Sequence, residues 1–62
     1  MLVVSHIEPG ARLALAGGVT AEVVENVGDG EWLRVRLLSV PPGQGEAGAI
    51  ELCHATDVEA EL

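Results

Sequence analysis

Glycine and proline decide what this chain can build. Clusters of the two at residues 9–10, 17–18, 28–30 and 41–48 cut residues 1–40 into uninterrupted intervals of six to ten residues. The two strongest of these intervals alternate with a period of two rather than 3.6, which is the signature of strands. In "ARLALA" (11–16), Leu13 and Leu15 share one face, with Arg12, Ala14 and Ala16 on the other. In "EWLRVRLLSV" (31–40), Leu33, Val35 and Leu37 point inward while Trp32, Arg34 and Arg36 point outward. Between these two lies "VTAEVVENV" (19–27), whose adjacent Val23 and Val24 break the alternation and predict a bulge. "GG" (17–18) predicts a two-residue turn and "GDG" (28–30) a hairpin.

Three further segments complete the reading. "PPGQGEAG" (41–48) predicts a loop, and "AIELCH" (49–54) a fourth strand with Ile50 and Leu52 inward. That strand orientation puts His54 at the core edge, and Cys53 beside Glu51 on the opposite face. "ATD" (55–57) predicts a single 3-10 turn, "VEAEL" (58–62) a last strand, and "MLVVSHI" (1–7) an extra N-terminal strand. The whole chain, 1–62, reads as one domain. A chain of 62 residues buries only about 60% of its unfolded surface, so stability calls for a disulfide, a metal or self-association. One cysteine precludes an internal disulfide and the usual CxxC zinc spacing is missing, which leaves self-association.

The order of five short strands, two tight hairpins, a longer loop, a 3-10 turn and a final strand resembles a small SH3-like β-barrel. The stretch "EPGARLALAGGVTAEVVENVGDGEWLRVRLL" is similar to the opening of such domains, and the resemblance covers residues 9–62. It implies an all-β, five-stranded barrel, with an OB-like or other small barrel as the rival architecture. A second, architectural similarity is to the plasmid-encoded type II dihydrofolate reductases, SH3-like chains that assemble around a pore. Their pore strand Val-Gln-Ile-Tyr compares with Ile50-Glu51-Leu52-Cys53, followed here by His54 to Val58. Glu51 stands where those enzymes have glutamine and Cys53 where they have tyrosine, and this chain has no lysine. What the resemblance implies is assembly through this strand.

Charge works mainly by exclusion. Ten carboxylates face three arginines, for a net charge of −7. Such a field repels nucleic acid and anionic membrane. No Tyr or Phe is present to read proline helices as signalling SH3 domains do. Neither "GDG" nor "GQGEAG" has the strand-before, helix-after context of a phosphate loop, so no cofactor is expected. "MLVVSHIEPG" lacks a basic flank and a cleavage pattern, and the lone cysteine suits a cytoplasmic protein.

The candidate site is a binding patch of Trp32, Arg34, Arg36, Glu51 and Cys53, because Trp and Arg are the side chains that anchor protein interfaces. Glu22 and Glu51 are expected opposite the two arginines. His6, Glu8 and His54 are weak metal-ligand candidates. Neighbours on a strand point to opposite faces, so Cys53 and His54 cannot form a nucleophile pair. The expected function is a non-catalytic, self-associating interaction module whose partner is another copy or another protein. The alternatives are an oligomeric ligand-binding or enzymatic barrel with Trp32, Glu51, Cys53 and His54 on a subunit axis, and an acidic, antitoxin-like partner of a basic protein.

Overall fold

The computed structural model describes residues 6–62 of the chain. Five strands form one antiparallel sheet: β1 (Arg12–Leu15), β2 (Val19–Asn26), β3 (Trp32–Ser39), β4 (Ile50–His54) and β5 (Val58–Glu61). A 3-10 turn at Ala55–Asp57 precedes β5. The strand order is β4-β3-β2-β1-β5, so the first four strands meander and the fifth returns to the far edge. The intervals 11–16, 19–27 and 31–40 have each become one strand, as the period of two predicts. Most of the expected N-terminal strand, residues 1–5, lies outside the described residues. Of its remainder, His6 is in a 3-10 turn and Ile7 is outside any strand. No helix among the described residues is long and apolar enough to cross a membrane.

The connection from β4 to β5 dictates the shape of the sheet. Three residues in 3-10 geometry advance only about 6 Å, whereas a flat five-stranded sheet is about 19 Å wide. The sheet must therefore curl until its two edges approach at that end. Two backbone bonds hold the turn there: Ala55 N–H donates to Glu31 O (2.7 Å), and Ala16 N–H donates to Asp57 O (2.8 Å). The curl stops short of closure. Among the described residues β4 and β5 are not paired, so the expected barrel is an open, curled sheet.

Inside the curl lies a thin aliphatic core. Leu13, Val23, Leu33 and Val35 are its largest fully buried side chains, joined by Leu15, Val19, Ala21, Leu37 and Val58 from neighbouring registers. Truncating one such leucine to alanine typically costs about 2–5 kcal/mol, a large part of a small domain's stability. Ile7 is also part of this core, and its carbonyl accepts from Asn26 Nδ2 at 2.8 Å.

Two local expectations meet the backbone differently. The bulge falls where adjacent valines broke the alternation: Val23 pairs with Val35 and Glu25 with Arg34, leaving Val24 unmatched. The first hairpin, by contrast, has a three-residue connection. Leu15 pairs directly with Val19, and Ala16 joins Gly17 and Gly18 in the turn. Both glycines have φ near +80°, the left-handed region that side chains with a Cβ rarely occupy.

Candidate functional site

β4 carries the main correction. Leu33 pairs with Cys53 and Val35 with Glu51, and because Leu33 and Val35 are core residues, their partners share the inner face. Ile50, Leu52 and His54 therefore lie outward, opposite Arg36, Arg34 and Trp32. The apolar pair read as inward is 46% and 57% exposed, while Cys53 is buried. A slip of one residue flips every side chain of a strand, and register here is set by β3 rather than by the hydropathy of β4.

The proposed patch consequently divides between two faces. Trp32, Arg34 and Arg36 do lie together on the outer face of β3, joined there by Ile50 and Leu52. Glu51 and Cys53 lie on the other side of the sheet. The bulge at Val24 also changes the expected charge partners. Arg34 Nε meets Glu25 Oε1 at 3.3 Å, both groups exposed, whereas Glu51 is aligned with Val35. Glu22 does align with Arg36. An exposed pair of this kind contributes about 0.2–1 kcal/mol.

His54 belongs to the outer face and to the end of the sheet. Its ring meets Trp32 edge to face, with centroids 4.8 Å apart. Nδ1 accepts the Thr56 backbone N–H at 3.2 Å and contacts Thr56 Oγ1 at 3.0 Å, which caps the 3-10 turn. A neutral ring accepting at Nδ1 carries its hydrogen on Nε2, and Nε2 lies 3.8 Å from Glu31 Oε1. These contacts give His54 a structural task. His6 and Glu8 are both exposed, and they do not share a strand. Among the described residues, no three metal-ligating side chains come together.

Cys53 is a free thiol within the core, its Sγ 3.5 Å from the His54 carbonyl oxygen. Burial, reinforced by the charge of Asp57, pushes its pKa up to about 11. The thiolate is the reactive form, so this cysteine is chemically quiet at neutral pH. Its separation from His54 by strand alternation stands, but with the two faces exchanged: Cys53 inside, His54 outside.

The curl leaves a seam between β4 and the β1–β2 turn, and in it a cleft of about 170 Å³. Its floor is apolar, from Leu15, Val19, Val35, Leu37 and Cys53, and its polar lining includes Gln44, Glu51 and Asp57. The sequence pointed to Asp57 only as a partner for His54 and to Gln44 not at all, since a seam between separate elements has no local signature. Ile50 and Leu52 were recoverable in principle, by counting faces outward from the clear alternation of β3. No family model, no curated protein and no solved structure matches this chain.

Proposed function

We propose that the chain is a non-catalytic interaction module, SH3-like in its connectivity, that self-associates through the outer face of β3 and β4. One observation carries this reading: Trp32, Ile50 and Leu52 are exposed on adjacent strands, and among the described residues β4 is an edge strand. Backbone geometry strengthens it. Leu37 N–H donates to Ala49 O and Ala55 N–H to Glu31 O, so the odd residues of this stretch address β3. By antiparallel alternation, Ile50, Leu52 and His54 turn their N–H and C=O groups toward the open edge. An edge that combines free backbone groups with apolar side chains is a template for another strand.

Antiparallel pairing of β4 with its copy about Leu52 would set Leu52 against Leu52 and Ile50 against His54. A two-fold arrangement of this kind uses the same patch on both chains. Arg34 and Arg36 flank the apolar row and give the edge of an otherwise acidic chain a locally basic border. A cytoplasmic setting fits the lone reduced thiol. The test is amide chemical-shift mapping against protein concentration. Shifts concentrated at Trp32 and residues 50–54 support the reading; shifts confined to β1 and β5 contradict it.

A further inference from the structure

The cleft at the seam borders the outer face at Leu52 and has a chemistry of its own. Its floor belongs to the core: Leu15, Val19, Val35, Leu37 and Cys53 are each less than one-tenth exposed. An occupant must therefore bring an apolar body. Around that floor, three elements each supply one polar side chain: Gln44 from the 41–48 loop, Glu51 from β4 and Asp57 from the 3-10 turn. The two carboxylates meet no cationic side chain in the cleft lining. The chain's arginines are elsewhere, Arg12 on β1 and Arg34 and Arg36 on the outward positions of β3. Two negative charges beside an apolar floor, in a chain of net charge −7, disfavour anions and select an apolar stem with a cationic head.

The space fits such a group. A volume of about 170 Å³ corresponds to about five or six water molecules at liquid density, enough for a short unbranched alkyl chain. We propose that this cleft binds a primary alkylammonium group, its methylenes on the Val35–Leu37–Cys53 floor and its head between Glu51 and Asp57, with the Gln44 side-chain carbonyl as a third acceptor. The group arrives either as a free aliphatic amine or as a lysine side chain of another protein. The chain itself has no lysine, so it cannot fill its own cleft with one.

Amide and side-chain NMR titration of the intact chain tests this. The probes are n-pentylammonium, N-acetyl-lysine methylamide, the neutral isostere 1-pentanol, and pentanoate. The expected result is saturable shifts at Gln44, Glu51, Cys53 and Asp57 with n-pentylammonium in the millimolar range, and binding of 1-pentanol weaker by about tenfold. Glu51→Gln and Asp57→Asn should each weaken n-pentylammonium by about two- to fivefold, the effect of a solvent-accessible ion pair. Tighter binding of the lysine derivative assigns the cleft to a protein partner, and tighter binding of the simple amine to a free metabolite. Equal binding of 1-pentanol and n-pentylammonium overturns the proposal, as does the absence of any saturable shift up to about 50 mM. The alcohol comparison needs no variant, so it decides even if a substitution unfolds the chain.

Discussion

Trp32 and His54 stand directly opposite each other on β3 and β4, their rings edge to face with an interplanar angle of 78°. The same imidazole caps the 3-10 turn through Thr56, so one side chain joins the exposed aromatic to the turn that curls the sheet. His54→Ala should lower stability by about 1–2 kcal/mol, from the lost cap together with the ring contact. A double-mutant cycle with Trp32→Ala, read by urea denaturation, should return a coupling of about 0.5–1.5 kcal/mol. A coupling near zero would mean that the rings merely adjoin.

Cys53 gives a prediction in alkaline solution. Its folded pKa lies at about 11 against an ordinary value of 9.0. Below pH 9 the thiol is protonated in both states. Between about 9 and 11 the unfolded chain alone loses the proton, so stability falls as pH rises across that window, by up to about 2–3 kcal/mol. Cys53→Ala should be less stable at neutral pH yet lack this alkaline decline. A thiol reagent at pH 8 should modify native Cys53 at a rate limited by opening, and the urea-unfolded chain rapidly.

Asp29 predicts the acid side. Its Oδ1 accepts from Glu31 N–H at 2.9 Å and Trp32 N–H at 3.0 Å, and these bonds hold its pKa below the ordinary 3.8. A depressed carboxyl stabilises the fold above the unfolded pKa, and the contribution disappears as pH falls through the folded one. Asp29→Ala should lower Tm at neutral pH and flatten the dependence of Tm on pH below about 4. An unchanged acid profile would show that the turn holds without this side chain.

Gly17 and Gly18 predict a backbone effect. With φ at +82° and +80°, alanine at either position must adopt a left-handed conformation that costs about 1–2 kcal/mol. Thermal denaturation of Gly18→Ala should show that loss. Stability equal to the parent would mean the hairpin had adopted another turn.

How much of this was legible depended on how local the determining physics is. Period-two alternation and glycine clusters are local, and they located each of the five observed strands to within about two residues, the usual ambiguity of element ends. The Val24 bulge was equally local, two valines where one face has room for one. The inner face of β4 was not. Ile50 and Leu52 are the more apolar residues, yet register with Leu33 and Val35 turns Cys53 and Glu51 inward. At a sheet edge only one of these positions is buried, so hydropathy alone chooses the wrong face. The Arg34–Glu25 pair and the cleft follow from the bulge and the seam, relations between strands that no single segment encodes.

Sedimentation equilibrium of the parent chain beside Leu52→Glu tests the central claim most directly. Leu52 is exposed, so glutamate there should leave folding intact, which circular dichroism checks. The expected result is a dimer or larger species for the parent at about 10–100 μM, with Leu52→Glu folded and monomeric over the same range. A folded parent that stays monomeric up to about 1 mM, or a variant that associates as strongly as the parent, would contradict self-association through β4.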